Sequence, residues 1–243
     1  MATVLLIADI GGYTRYMAVN RVALTHAHYV VGRLLETVID AARPWLKLSK
    51  LEGDAALFWA DERELDPQRL PECVTGMREA FVRRRAIVDT DCICNCDACV
   101  DTRGLTLKFV AHLGEVAFQR VKRFTELAGI DVILVHRMLK NEVPAREYLL
   151  MTEPLARALP ATLGLDMHAI EQDFEGLGRT PCRWIDLSRM SVSVPARTRS
   201  LPRSVAKAML GSIRTLPYGL GIRRACAGFK NLPEPEPPRA KAR

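Results

Sequence analysis

The stretch from Val4 to Thr14 reads VLLIADIGGYT, and the stretch from Leu48 to Trp59 reads LSKLEGDAALFW. Each joins an apolar, strand-forming run to an aspartate in a glycine-marked turn. Asp9 follows the run Val4 to Ala8 and precedes Gly11 and Gly12, while Asp54 follows Gly53 and precedes the apolar run Ala55 to Ala60. A carboxylate at a strand end, beside glycines that let a phosphate approach the backbone, suits Mg²⁺, which takes oxygen ligands and bridges to substrate phosphates. Aspartate next to glycine is also ordinary turn chemistry, so neither aspartate decides the matter alone.

Outward from these segments the pattern alternates. Thr3 to Ile10 predicts a strand, and about Arg21 to Ala42 a helix, with Val30, Leu34, Leu35, Val38 and Ile39 at helical spacing. A hairpin is expected over Trp45 to Ala60, then a charged loop to Pro71. Pro71 to Val88 reads as a second helix, opened by proline in its first turn and packing through Val74, Met77, Phe81 and Val82. Strands follow at Leu105 to His112 and around Glu115 to Arg120, a third helix at Asp131 to Leu139, a strand at Glu147 to Met151, and a short helix near Glu153 to Leu159. A closing hairpin spans Phe174 to Leu187. Such an order predicts an α+β fold in which helices cover an antiparallel-rich sheet.

The chain has 243 residues, 49% of them hydrophobic, which suits one domain of ordinary size plus an appendage. Its net charge of +7 is concentrated at one end: residues 191–243 hold eleven Lys and Arg against two Glu. The remainder is near neutral, which argues against a nucleic-acid-binding domain. We therefore expect a folded domain over residues 1–190 and a basic, Pro-rich tail over 191–243. Within the tail, Val205, Met209 and Ile213 form an apolar stripe flanked by Arg203, Lys207 and Arg214, so an amphipathic helix is expected over 203–216. Such a helix can rest weakly on an anionic membrane surface or dock on its own domain. Pro233 to Arg243 has the composition of a disordered end. Met1 to Ile10 lacks a basic leader, and no run approaches the roughly 18 apolar residues of a membrane span, which predicts a cytoplasmic protein.

Seven cysteines include a tight group at Cys92, Cys94, Cys96 and Cys99. In a cytosolic chain such a group points to metal rather than disulfides. The spacing C-x-C-x-C-x-x-C is too compressed for all four thiolates to enclose one ion easily, so a Zn²⁺ site would use Cys94, Cys96 and Cys99 with an outside ligand. The alternative is a surface loop of reduced or redox-labile thiols. His26, His28 and His112 lack a clustered second ligand and read as structural histidines, and His136 is expected to face whatever Arg137 faces. There is no G-x-x-x-x-G-K-[ST] loop, G-x-G-x-x-G fingerprint or G-x-S-x-G elbow.

Taken together, Asp9-Ile10-Gly11-Gly12-Tyr13-Thr14 and Lys50-Leu51-Glu52-Gly53-Asp54 resemble the catalytic domain of class III adenylate and guanylate cyclases. There the first strand ends in an aspartate before a Gly-Phe/Tyr-Thr turn, and the second aspartate lies in a Lys-x-x-Gly-Asp hairpin. LKFVAHLGEV at Leu107 to Val116, ELAGIDVILVHR at Glu126 to Arg137 and FEGLGRTPCRWIDL at Phe174 to Leu187 extend the likeness over most of residues 1–190. The resemblance implies a ferredoxin-like, palm-type sheet, ATP or GTP as ligand, Mg²⁺ or Mn²⁺ as cofactor and a homodimer as the working form. It also implies that Asp9, Asp54 and the Ile10 carbonyl hold two metal ions, with Gly11, Gly12, Tyr13 and Thr14 forming the turn beside the phosphates. Lys50 and Glu126 fall where the purine-reading lysine and its acidic partner stand, which favours adenine, and Arg137 falls where an arginine stabilises transition-state phosphate charge. Ile133 stands where the family has a ribose-positioning asparagine, and loss of one oriented donor costs roughly 10²–10³ in rate.

The stretch Gly129 to Asn141, GIDVILVHRMLKN, and the cysteine cluster ahead of the Leu-Lys-Phe strand are similar to a little-characterised bacterial branch of the same superfamily, whose members share the apolar residue at the Ile133 position. Two principal functions follow as expectations. One is an adenylate cyclase that acts through Asp9, Asp54 and Arg137; the other is a catalytically impaired nucleotide sensor or scaffold. A third, a Cys-cluster metal or redox protein on the same fold, is separable by metal content.

Overall fold

The computed structural model describes residues 2–20, 24–91, 101–159 and 166–194. The cysteine cluster and the tail helix expected over 203–216 lie outside the described residues. The chain divides into two compact units: a larger one of Met1–Gly11, Arg33–Arg84 and Thr106–Val194, and a smaller one of Gly12–Gly32, Arg85–Leu105 and Pro195–Arg243.

The larger unit is built on a seven-stranded sheet. Its strands are β1 (Ala2–Gly11), β2 (Lys47–Glu52), β3 (Ala55–Asp61), β4 (Thr106–Glu115), β7 (Tyr148–Thr152), β8 (Met167–Phe174) and β9 (Gly178–Asp186), in the order β2-β3-β1-β4-β7-β9-β8. Every neighbouring pair is antiparallel except β4 and β7, which run parallel. Two further strands, β5 (Ala117–Val121) and β6 (Phe124–Ala128), form a separate antiparallel ribbon.

β1 lies near the middle of the sheet because its sequence tolerates no water on either face: Val4 through Ala8 are wholly buried. Such continuous apolar runs mark strands covered on both sides. Helix α2 (Leu24–Ala42) enters the unit at Arg33 and buries Leu34, Leu35 and Val38, each worth about 1.5–3 kcal/mol if fully withdrawn from water. α3 (Leu70–Asp91) buries Leu70, Val74, Met77 and Phe81 at spacings of four and three; Val74, Met77 and Phe81 are on the stripe read from sequence, whereas Val82 is only half-buried and Leu70 extends the stripe by a turn. α4 (Ile130–Arg137) packs on β1 and β4, with Val132 and Val135 joining Leu5, Ile7, Val110 and Leu150 in one core cluster. α5 (Glu153–Ala158) follows β7 directly, with Pro154 in its first turn.

The smaller unit, among its described residues, contains α1 (Tyr13–Val19), the opening of α2, the end of α3 and a 3₁₀ turn at Asp101–Gly104. Gly12 caps α1 at φ 84°, and a side chain there would stand 3.0 Å from the Gly104 carbonyl. Both facts call for glycine. Asn20 closes the helix by donating from Nδ2 to the Tyr16 carbonyl at 2.8 Å.

Candidate nucleotide and cation site

Strand register brings the two aspartates together. β1 pairs with β3 so that Asp9 lies across from Ala55, one residue past the β2–β3 turn that carries Asp54. Gly53 takes φ 67° in that turn, and the Ile10 amide donates to the Asp54 carbonyl at 3.2 Å, tying the turn to the end of β1. Burial, then the negative charge of Asp9 and a hydrogen bond shared with it, push the Asp54 carboxyl up to about 6. Two carboxylates this close cannot both ionise cheaply without a cation.

The other neighbour of β1 supplies a positive charge. β4 sets Lys108 directly across from Asp9, and its Nζ lies 2.8 Å from Asp9 Oδ2. Contact with Asp9 raises the Lys108 pKa against the opposing effect of burial, which is the largest single influence. Tyr148 on β7 completes the group: its hydroxyl accepts from Asn141 Nδ2 at 2.8 Å, and burial raises its pKa. Neither Lys108 nor Tyr148 is among the residues singled out from sequence. A lysine inside the apolar run LKFVAHL is the signal that could have found the first. Its facing residue depends on the pairing of β1 with β4, strands 95 or more residues apart, and no local pattern encodes that.

A second group stands at β2 and the ribbon. Lys50 Nζ lies 2.8 Å from Glu52 Oε1 and 3.9 Å from Glu126 Oε2, so the lysine and acid expected to read a purine edge are neighbours. His136 Nδ1 approaches Glu52 Oε2 at 3.2 Å, and burial lowers its pKa. Arg137, by contrast, pairs with Glu175 at 2.6 Å. His136 therefore does not face what Arg137 faces, because consecutive helical residues point about 100° apart. Ile133 is 49% exposed. Gly11 ends β1 in the larger unit, whereas Gly12, half-buried Tyr13 and exposed Thr14 belong to the smaller one.

A third group holds α4 in place. His112 Nδ1 lies 2.8 Å from Thr152 Oγ1, and its Nε2 approaches Asp131 Oδ1 at 3.1 Å without the alignment of a good hydrogen bond. Asp131 Oδ2 accepts from the Glu115 amide at 2.6 Å. Burial lowers the His112 pKa, in keeping with a structural histidine.

Among the described residues there is no cluster of three or more His, Cys, Asp and Glu side chains able to cage a metal. Asp9 and Asp54 nonetheless fit Mg²⁺ or Mn²⁺, since such ions are commonly held by one or two carboxylates, waters and substrate phosphates. Their oxygen-only donor set is of the right kind.

The mostly antiparallel sheet and its flanking helices give the fold: it is that of nucleotidyl cyclase catalytic domains. The chain is similar to the crystal structure of the guanylyl cyclase Cya2, with a TM-score of 0.58 and 13% identity over 79% of this chain and 98% of that one. It is also similar to the catalytic core of a rhodopsin-guanylyl cyclase with converted specificity in complex with ATPalphaS, with a TM-score of 0.54 and 15% identity over 76% and 94% of the two chains. At such identities the likeness is one of fold. An uncharacterized protein of Mycobacterium tuberculosis, Rv2561/Rv2562, is 45% identical over 205 residues, covering 83% of this chain and 94% of that one. This chain belongs to the same family as that mycobacterial protein, and its residues 31–148 match the family model described as protein of unknown function (DUF2652). Among the described residues, no helix is long and apolar enough to cross a membrane.

Proposed function

We propose that residues 1–190 bind a purine nucleoside triphosphate with Mg²⁺ or Mn²⁺ and convert ATP to cyclic AMP, residues 191–243 being an appended basic tail. The observation that carries this reading is the convergence of Asp9 and Asp54 at the end of β1, with the Lys50–Glu126 pair on the neighbouring hairpin and ribbon. Asp9, Asp54 and the Ile10 carbonyl are the cation ligands. A bound divalent ion supplies charge neutralisation for the triphosphate and a more acidic ribose 3′-hydroxyl. Lys50 donates to the purine edge while Glu126 accepts from the adenine amino group. The 3′-oxygen bonds to the α-phosphorus, the bridging P–O bond to the β-phosphate breaks, pyrophosphate leaves and the hydroxyl proton passes to water.

Arg137 offers its guanidinium to the developing phosphate charge. In this chain it is turned to Glu175, so service at the triphosphate requires exchange of that exposed partner. A homodimer offers a second surface to which Arg137 can turn. The exposed apolar residues Leu51, Phe118 and Phe124, from 48% to 55% accessible, lie on the same hairpin and ribbon as Lys50 and Glu126 and suit such an interface.

Ile133 favours a second reading, a nucleotide sensor or scaffold that keeps the cation site but turns over slowly. Incubation of purified protein with ATP or GTP and Mn²⁺, beside Asp54→Ala, separates the two. Cyclic nucleotide detected by mass and lost in Asp54→Ala is the expected result; Asp54-dependent nucleotide binding without product selects the sensor. Ile133→Asn, at an exposed position, is expected to leave stability within about 0.5 kcal/mol and to raise turnover at least tenfold.

A further inference from the structure

We infer that Lys108 is a resident counter-cation of the carboxylate pair, so that the nucleotide-free chain takes up one divalent ion and not two. The inference rests on the reading of Asp9 and Asp54 as cation ligands and goes beyond it in assigning the lysine and the ion count.

The position of Lys108 is dictated by the sheet. Ten consecutive residue pairs join β1 to β4 from Ala2↔Glu115 to Gly11↔Thr106, with no shift of register, and Asp9↔Lys108 is one of them. Directly opposed residues of an antiparallel pair put their side chains on one face a few ångströms apart. Leu107 and Phe109 on either side of the lysine are wholly buried, so the strand cannot turn the side chain away without exposing both. The lysine and aspartate side chains are themselves only 24% and 14% accessible, and they meet at 2.8 Å. Sequestered in this way, the pair is weakly screened by salt.

Occupancy and charge then lead to the same count. Asp9 Oδ2 is engaged by the ammonium, leaving Asp9 Oδ1 and the Asp54 carboxylate for an incoming ion. Two ionised carboxylates and one ammonium sum to a single negative charge. One divalent ion brings the group to +1, whereas a second would bring it to +3 with no third acid gathered at the site among the described residues. Positive charges a few ångströms apart in a partly dry site repel strongly. Nucleotide phosphates would relieve that repulsion, so the limit belongs to the free chain.

Titration of the nucleotide-free, full-length protein with Mn²⁺, read by the electron paramagnetic resonance signal of the unbound ion, tests this. The wild type and Lys108→Arg are expected to take up one Mn²⁺ per chain and Asp54→Ala none. Lys108→Met, similar in length and uncharged, is expected to bind the first ion about tenfold more tightly and to admit a second. A wild-type count of two overturns the inference and leaves the cation site standing, and this holds whether or not Lys108→Met folds. One ion in both wild type and Lys108→Met, with equal affinity, also overturns it. No Asp54-dependent Mn²⁺ uptake by any variant removes the cation site itself and the inference with it.

Discussion

Arg78 and Glu147, 69 residues apart in the chain, meet in the interior of the larger unit, where Arg78 Nε and Nη2 reach Glu147 Oε2 at 2.9 and 2.7 Å. The same guanidinium donates to the Met190 carbonyl at 3.0 Å, so one arginine joins α3, the approach to β7 and the segment after β9. Here one positive charge meets one negative charge. At the end of β1 two carboxylates, Asp9 and Asp54, stand near one ammonium, that of Lys108, which bonds Asp9, while burial and then the charge of Asp9 push the Asp54 carboxyl up to about 6. The balanced pair is what a fold uses to hold itself, whereas the acid-rich group costs stability. Departures of this second kind gather where a ligand completes the site.

The largest effect is expected from opening the balanced pair. Arg78→Met removes the guanidinium from Glu147, a residue only 7% exposed, and releases the Met190 carbonyl. Breaking a buried pair from one side costs about 3–5 kcal/mol. The urea midpoint should fall accordingly, and a loss below about 1 kcal/mol would show that the pair is solvated and the contrast false.

Asp54→Asn should move stability the other way. The unfolded aspartate titrates near 3.8 and the folded one at about 6, so the folded state holds its proton more tightly. Its relative stability from this group is fully present below the lower value and is lost as pH rises through the upper one. The asparagine variant escapes that loss. Above about pH 6 it should be more stable by about 1–2 kcal/mol, a figure reduced from the roughly 3 that the shift implies to allow for solvent screening. Thermal melts from pH 4 to 8 should show the gain appear between those values. Under the proposed function, Mn²⁺ should raise the wild-type melting temperature and close the gap, and a gap indifferent to Mn²⁺ would separate the acid excess from cation binding.

The two groups also differ in how legible they were in the sequence. Asp9 and Asp54 announced themselves, since each stands in a glycine-marked turn beside a strand whose apolar run is continuous. The β2–β3 hairpin, α3 and most of α2 were readable for the same reason, a strong local period. α1 was not: Tyr13–Val19 is two turns long and buries only Tyr16 and Met17, too few positions to display periodicity. β8 lies outside the closing hairpin expected over Phe174 to Leu187, because it is an edge strand whose Met167–Phe174 sequence mixes polar and apolar residues and is half exposed. β6 is five residues long and buries only Leu127, which leaves no alternation for a local pattern to show. The partners Lys108, Glu147 and Tyr148 depend on strands and helices that meet only after folding. Pairing across such distances is set by the sheet order, including the parallel step from β4 to β7, and no window of neighbouring residues contains it.

The smallest effect tests where the acid-rich group ends. Tyr148 is 5% exposed and its hydroxyl accepts from Asn141 Nδ2, while the same amide donates to the Met138 carbonyl at 2.7 Å and Asn141 Oδ1 accepts from the Val143 amide at 3.1 Å. Asn141 is therefore still anchored in Tyr148→Phe, and the loss should be about 1 kcal/mol, that of a single hydrogen bond. The informative quantity is its coupling to Asp54→Asn. If the phenol only braces the Asn141 turn, the two changes should add to within about 0.5 kcal/mol in chemical denaturation. A larger coupling would make Tyr148 a member of the charged group, reached through the Lys108 ammonium that lies between the tyrosine and Asp9 in electrostatic range of both.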